Sequence, residues 1–194
     1  MSDKATDTEL MAKIQRGEDK AFAELFDRHY RRVLNIVYRF LGRVSEAEDL
    51  AQEAFLRVHR AAPRYEPRAA FTTWLYQIVS RLCLNYRRDK ARKKVLSFSG
   101  SPNNVETGTF DAVAEASAEE GRDTLIDEER ALVVREGLSQ LADNQRLALI
   151  FMHYNGLGYA EIAEALEITP GAAKALCHRA RESLREKIQS KIKK

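Results

Sequence analysis

The chain contains few of the residues that build disulfide frameworks or metal centres. Its 194 residues include two cysteines, Cys83 and Cys177, and neither stands in a CxxC pattern or near clustered histidines, which argues against disulfides and structural zinc. Four prolines and nine glycines leave long stretches in which helices can run without interruption. Apolar runs are too short to span a bilayer, and the first residues do not resemble a secretory signal, so we expect a cytoplasmic protein with no membrane insertion.

Signatures of catalysis are also scarce. The sequence has no glycine-rich phosphate loop, no metal-ligand cluster and no nucleophile–base arrangement, and its four histidines are scattered along the chain. We therefore predict that the protein is not an enzyme and that it binds no cofactor and no metal.

Charge is abundant and strongly segregated. The net charge of the whole chain is +3, but residues 81–94 and 171–194 each carry a net charge of +6, while residues 97–129 carry −8. Two basic runs that each close a helical module, with an acidic connector between them, indicate two contacts with a polyanion such as DNA.

The hydrophobic periodicity predicts an all-α fold, with helices over 8–16, 20–40, 46–61 and 71–94 and no convincing strand. Ser45 followed by Glu48 forms a capping-box pattern, which predicts that the third helix begins at Glu46. Over 97–124 the periodicity gives way to glycine, serine, asparagine and acids, which is typical of a flexible linker. The sequence thus predicts two small helical domains, 1–96 and 125–194, joined by an acidic linker over 97–124.

Residues 159–181 have the pattern of a helix-turn-helix, which makes the second domain a candidate DNA-binding domain. Four residues repeat at helical spacing and predict one apolar face on the first helix: Tyr159, Ile162, Ala163 and Leu166. Thr169 is placed to cap the second helix and Pro170 to begin it. That helix is basic and can enter a major groove; the alternative is an ordinary helical hairpin with a solvated basic face.

The third predicted helix carries an unusual polar face. Two acids, an amide and one leucine recur there at spacings of three and four residues: Asp49, Gln52, Glu53 and Leu56. Such a face can dock against a basic partner helix, although a merely solvated face is equally compatible with this segment alone.

The fourth predicted helix and the loop before it combine aromatic and basic residues. Six residues have core spacing, so Trp74 is predicted to be core rather than a platform for bases: Phe71, Trp74, Leu75, Ile78, Val79 and Leu82. The loop supplies Arg64, Tyr65 and Arg68, and the far end of the helix supplies Arg81, Asn85 and Arg88. Aromatic and cationic groups side by side suit single-stranded DNA, because rings stack on bases while cations follow phosphates. A surface loop with a half-buried tyrosine is the alternative.

The ordered combination of these segments closely resembles the extracytoplasmic-function class of bacterial RNA polymerase sigma factors, within the sigma-70 family. The motifs that carry the resemblance are DLAQEAFLRVHRA, FTTWLYQIVSRLCLNYRR and LADNQRLALIFMHYNGLGYAEIAEALEITPGAAKALCHRARESLREKI. The resemblance covers nearly the whole chain and is weakest in the linker. It implies a sigma factor that binds core RNA polymerase, directs it to promoters by reading −35 and −10 elements, and helps to melt the −10 region.

The resemblance also implies partners and roles for residues. Core polymerase would be contacted at the clamp helices and the flap of its large subunits, promoter DNA would be the second partner, and an anti-sigma factor would hold the protein inactive. The implied polymerase-binding residues are Asp49, Gln52, Glu53 and Leu56. The implied −10 contacts are Arg64, Tyr65, Arg68, Arg81, Asn85 and Arg88, and the implied −35 contacts are Lys174, Ala175, His178, Arg179 and Arg181.

Some positions depart from the family pattern. Arg81 stands where an asparagine is usual, and Glu167 stands where the turn usually has glycine. The first turn of the recognition helix lacks a hydroxyl and one arginine of the usual opening, which leaves fewer groups able to read base edges. Two other functions stay open at this point: a free-standing dimeric helix-turn-helix regulator, and an adaptor that binds proteins without touching DNA.

Overall fold

A computed structural model describes residues 5–96 and 133–192, and every regular element within these ranges is helical. The elements are α1 (Asp7–Gln15), α2 (Asp19–Leu41), α3 (Val44–Ala61), a 3-10 turn (Ala62–Arg64), α4 (Phe71–Leu96), α5 (133–139), α6 (Asp143–Asn155), α7 (Tyr159–Leu166) and α8 (Pro170–Ile192). The all-α prediction is confirmed, and the ends predicted for the first four helices lie within two residues of the observed ones. The predicted linker and the start of the second domain lie outside the described residues.

Helices α1–α4 form an amino-terminal unit around one apolar core. Long side chains from each helix are fully enclosed, including Leu10, Leu25, Phe55 and Leu75. A polar contact ties α1 to α2, because Asp7 accepts a hydrogen bond from Arg28 at 2.7 Å and lies 2.9 Å from the ring of His29. This packing fixes α3 and α4 side by side, with their outer faces turned away from the core.

The start of α3 differs from the prediction. The helix begins at Val44 after an extended Arg43, and no side chain caps it, so the capping box predicted from Ser45 and Glu48 is wrong. Ser45 is the second residue of the helix, so Arg43 and not Ser45 holds the cap position. Glu46 instead accepts a hydrogen bond from Lys90 of α4 at 2.9 Å, which joins the two helices at this end.

Helices α5–α8 form a carboxyl-terminal unit, and α7 and α8 make the predicted helix-turn-helix. Thr169 caps α8 by accepting a hydrogen bond from the N–H of Ala172 at 3.2 Å, and Pro170 is the first residue of that helix, as predicted. Ile162 and Ala163 are buried, but Tyr159 is 38% exposed, so its place on the apolar face is wrong. Tyr159 is the first residue of α7.

The two units pack directly against each other. Helix α4 lies along α7, and α2 lies against α6. The ring of Tyr76 from α4 stacks on that of Phe151 from α6, with centroids 5.3 Å apart, and the buried residues of both units form one continuous core. Among the described residues no helix combines the length and apolarity needed to cross a membrane.

Candidate polymerase and promoter interfaces

The polar face of α3 is open to solvent. Asp49, Gln52 and Leu56 are exposed, and Leu56 keeps 50% of its surface accessible although it is apolar. Glu53 is half-buried and accepts a hydrogen bond from Arg57 at 2.8 Å. The opposite face is enclosed in the core by Ala47, Ala51, Ala54, Phe55 and Val58. The structure thus brings the four predicted residues together on one surface, where a leucine among acids can receive a partner helix that carries both apolar and basic groups.

The loop before α4 borders an open cavity of about 440 Å³. Its lining consists of Ala61, Arg64, Tyr65, Glu66, Arg68, Ala69, Trp74 and Gln77. Arg64 and Arg68 are exposed, and Arg68 donates a hydrogen bond to Glu66 at 2.7 Å. The cavity therefore offers cationic and aromatic groups to one space, as the loop sequence predicts.

Tyr65 and Trp74 share the aromatic side of this cavity. Their ring centroids are 4.8 Å apart, and Tyr65 is only 8% exposed. Burial, together with the charge of Asp7, raises the pKa of Tyr65, and its hydroxyl has no hydrogen-bond partner in the described parts of the chain. Trp74 is half-buried: it packs on Phe71 at a centroid distance of 5.8 Å, as the core prediction requires, and also lines the cavity.

The basic end of α4 carries the other predicted −10 contacts, in three different environments. Arg88 is exposed and Asn85 is half-buried. Arg81 forms an ion pair with Glu167 of the carboxyl-terminal unit: its Nε donates to Oε2 at 3.1 Å, and its Nη2 contacts Oε1. The hydrogen bond from Arg81 lowers the pKa of Glu167, and the same bond raises the pKa of Arg81.

Further cations of α4 are also held by carboxylates. The Nε of Arg87 lies 3.3 Å from Asp143 of α6, and Lys90 donates to Glu46. Burial raises the pKa of Glu46, but hydrogen bonds from Lys90 and Tyr86, together with the charges of Lys90 and Arg43, lower it by more. Burial and the bond to Glu46 in turn raise the pKa of Tyr86 to about 12. Tyr86 therefore keeps its proton and serves the contact between α3 and α4.

The recognition helix α8 presents its predicted residues on one surface. Lys174, Ala175, His178 and Arg179 are exposed, whereas Ala173, Cys177 and Ala180 on the opposite face are fully buried. Arg181 is also exposed, and its Nη2 lies 2.6 Å from the sulfur of Met152. The first turns of α8 can thus enter a groove without any rearrangement of the unit.

The turn before α8 has a left-handed backbone at Glu167, the position where the family pattern has glycine. Glu167 has φ +57° and is the one non-glycine residue with positive φ among those that the structure describes. A left-handed backbone at a residue with a side chain costs on the order of 1 kcal/mol. The carboxylate at this strained position is the one that holds Arg81.

Both cysteines are buried and unpaired, which agrees with the absence of a disulfide framework. Burial, with the charge of Asp143 as a smaller cause, raises the pKa of Cys83, and burial raises the pKa of Cys177. Thiols in this state are poor nucleophiles. No group of three or more histidines, cysteines or acids in the described ranges could hold a metal ion.

Arg146 of α6 is a structural residue that the sequence reasoning missed. It is 3% exposed, and its guanidinium donates to the carbonyl oxygens of Leu138, Ser139 and Leu141 in its own unit and to that of Phe40, at 2.8 Å, in the other. The available signal was one arginine directly before the apolar run 147–151.

Comparisons with known proteins agree with this arrangement. Residues 25–93 match Sigma-70 region 2, and residues 131–184 match Sigma-70, region 4. The chain is 30% identical to the ECF RNA polymerase sigma factor SigW of Bacillus subtilis over 177 residues, which cover 91% of this chain and 94% of that protein. It is also 30% identical to the ECF RNA polymerase sigma-E factor of Escherichia coli strain K12 over 197 residues, which cover 100% of both proteins.

Solved structures share the fold. CnrH in complex with the cytosolic domain of CnrY superposes with a TM-score of 0.69 at 20% identity, covering 96% of this chain and 99% of that one. The sigma factor RpoE in complex with the anti-sigma factor NepR from Bartonella quintana gives 0.64 at 19% identity, covering 88% and 98%. The two-unit helical fold and the matches to regions 2 and 4 define a transcription initiation factor. The chain belongs to the extracytoplasmic-function sigma factors of the sigma-70 family.

Proposed function

We propose that the two units divide promoter recognition, with domain 1–96 holding polymerase and the −10 element and domain 125–194 reading the −35 element across the linker 97–124. As a sigma factor, the chain binds core RNA polymerase, directs it to promoters through their −35 and −10 elements, and helps to melt the −10 region. The observation that carries this division is that each region match falls within one helical unit.

The exposed face of α3 is the proposed polymerase contact. Asp49, Gln52, Glu53 and Leu56 would dock on the clamp helices of core polymerase. Support comes from the shared exposed surface, since a leucine among acids suits a partner helix that carries both apolar and basic groups. The carboxyl-terminal unit would reach the flap of the large subunits.

The cavity beside α4 is the proposed site for an unpaired base of the −10 element. Arg64 and Arg68 would hold the phosphates on either side, while Tyr65, together with Trp74, would stack on the base. Arg81, Asn85 and Arg88 would follow the melted strand along α4. The chemistry is that of sequence-tolerant single-strand binding, in which rings contact base faces and cations contact the backbone.

The exposed surface of α8 is the proposed −35 contact. Lys174, His178 and Arg179 would read base edges in the major groove, with Ala175 close to the groove floor and Arg181 on a phosphate. Support comes from the burial of the opposite face, which leaves this surface as the one that α8 can offer to DNA.

The remaining assignments are also proposals. The polymerase would catalyse RNA synthesis, and this chain would supply promoter recognition and strand opening. Its place of action would be the cytoplasm, where the polymerase works. The sigma factor RpoE of the comparison above is bound to an anti-sigma factor, and we propose that a partner of that kind also restrains this chain.

Run-off transcription with purified core polymerase tests the function directly. On a pool of genomic promoter fragments, initiation should depend on adding the full-length protein. Complete absence of protein-dependent transcripts would refute the proposal. Binding of the chain alone to a palindromic duplex, with half-sites a whole number of turns apart, would instead favour a free-standing dimeric regulator.

A pair of variants tests the docking face in a pull-down with core polymerase. Asp49→Ala combined with Glu53→Ala should weaken binding to core polymerase by about tenfold or more, which corresponds to about 1.4 kcal/mol. Asp19→Ala combined with Asp27→Ala is the matched control, because it removes two exposed acids from α2 and changes the net charge equally. Equal affinity of both variants in a pull-down would remove α3 from the contact.

A further inference from the structure

The carboxyl-terminal unit covers the side of α4 that carries Arg81. Gln77 of α4 donates a hydrogen bond to the backbone carbonyl of Glu164 at 3.0 Å, which places α7 beside this part of the helix. One turn further along α4, Arg81 pairs with Glu167. Nearer the end of the same helix, Arg87 donates to Asp143. Two arginines of the basic helix are therefore occupied by carboxylates that belong to the other unit.

This closed arrangement cannot read a whole promoter. The −35 and −10 elements are separated by about 25 base pairs, or roughly 85 Å of duplex. Helix α4, the longest element, has 26 residues and so spans about 39 Å. Because α7 is in contact with α4, the two DNA-binding surfaces are much closer together than the two elements, so the units must separate before both elements are bound.

The closed form also has a polar contact across the units. Arg146 is buried, and its guanidinium donates a hydrogen bond to the carbonyl oxygen of Phe40 at 2.8 Å. Closure thus rests on this bond, on the apolar contact of Tyr76 with Phe151 and on the two ion pairs described above.

The two residues that form this ion pair, Arg81 and Glu167, are two of the positions at which the sequence departs from the family pattern. An asparagine at position 81 and a glycine at position 167 would make no such pair. In this chain the two side chains carry opposite charges, and two nitrogens of Arg81 contact the two carboxylate oxygens of Glu167. The pairing gives one structural reason for both departures.

We propose that Arg81 and Glu167 form a latch between the units that keeps the free chain closed, and that the Glu167 carboxylate occupies on Arg81 the place that a DNA phosphate takes once polymerase has opened the chain. The first half of this inference stands on the contacts alone. The second half rests on the proposed function, because it requires Arg81 to face the melted strand. Free protein would then bind single strands poorly until the latch is broken.

Small-angle X-ray scattering of the full-length protein without DNA tests the latch. Glu167→Arg places two arginines against each other, and we expect the radius of gyration to rise by at least about 3 Å above that of the closed chain, for which roughly 16 Å is typical at this length. Glu164→Arg is the matched control: it makes the same charge change three residues earlier, in the last turn of α7, and the Glu164 carboxylate forms no bond within the described residues. The charge swap Arg81→Glu with Glu167→Arg should restore the compact value.

Equal radii for Glu167→Arg and Glu164→Arg would overturn the latch. Circular dichroism checks that both variants are folded, because each should retain the helical signal of the wild type. If Glu167→Arg loses helix, the milder Glu167→Gln replaces it in the test, with Glu164→Gln as its control and a smaller expansion expected.

Fluorescence anisotropy with a labelled 12-nucleotide single strand of mixed sequence tests the second half. Since apparent affinity scales with the fraction of competent molecules, Glu167→Arg should bind at least about fivefold more tightly than Glu164→Arg, which has the same net charge. Expansion without this gain would leave the latch standing and refute the competition for Arg81, and with it the proposed strand contact.

Discussion

Helices α4 and α8 carry basic runs of the same net charge, yet the two helices present that charge differently. The run of α4 has +6 over residues 81–94, and the run that covers most of α8 has +6 over residues 171–194. On α4, the cations Arg81, Arg87 and Lys90 are held by carboxylates. On α8, Lys174 and Arg179 are exposed and form no ion pair with any described residue. Charge content therefore predicts that both helices can meet DNA, but tertiary contacts decide which of them is available in the free chain.

The largest effect is expected from removing the apolar contact that brings the units together. Phe151→Ala should lower the free energy of unfolding by about 3–5 kcal/mol, because a fully buried ring is replaced by a cavity. Chemical denaturation followed by circular dichroism measures the change. The control is Tyr154→Ala, which removes an exposed ring that stacks with Arg39 at 3.7 Å and should cost less than about 1 kcal/mol. Equal losses would show that the units are held mainly by their polar contacts.

The next largest effect is expected on α8, whose cations Lys174 and Arg179 are exposed. Arg179→Ala should reduce transcription from −35-dependent promoters by an amount equivalent to about 1–3 kcal/mol if Arg179 reads a base edge. The measurement is run-off transcription on promoters that differ at single −35 positions. Arg181→Ala serves as the phosphate-contact comparison and should weaken all variants alike. A uniform loss for Arg179→Ala as well would reassign it to the backbone.

A smaller effect is expected at the start of α8. Thr169→Ala removes the side-chain oxygen that accepts from the N–H of Ala172 and should cost about 1 kcal/mol of stability, whereas Thr169→Ser should keep most of it. Thermal unfolding compares the two variants. An unchanged midpoint for Thr169→Ala would mean that Pro170 and the packing of Ala173 are enough to hold the recognition helix in place.

The smallest effect is the dependence of closure on pH. Pairing with Arg81 holds the pKa of Glu167 below its ordinary value of 4.5, so the pair is intact above that value and is lost as the pH falls through the lowered pKa. Wild-type protein should therefore expand more on acidification below about pH 4.5 than Glu167→Gln does. The exposure of the pair, 59% for Arg81 and 48% for Glu167, keeps the difference small. If the radius of gyration changes equally with pH in the two proteins, Glu167 does not contribute to closure.

Local patterns in the sequence predicted local structure well. The spacing of apolar residues gave the helices, and the Thr169–Pro170 pair gave the start of α8, since these features depend on neighbours a few residues away. The departure at position 167 predicted the strain there, because a turn that usually has glycine demands a left-handed backbone. The docking face of α3 was likewise predictable as a surface, although its partner came only from the family resemblance.

Features that depend on distant parts of the chain were not predictable in this way. Ser45 satisfies the capping pattern, but the helix starts one residue before it. Tyr159 fits the apolar period of α7 and yet lies outside the core. Arg146 takes its fourth acceptor from Phe40, a residue 106 positions earlier, and no spacing within one segment indicates such a contact. The same holds for the ion pair of Arg81 with Glu167.

The left-handed backbone at Glu167 opposes two properties that protein engineers usually want together. Glycine at this position would relax the left-handed turn by about 1 kcal/mol. It would also delete the carboxylate that pairs with Arg81. If the proposed latch holds, a Glu167→Gly variant that gains thermal stability should also bind single strands more tightly than the wild type, so that a more stable chain would be a less restrained one.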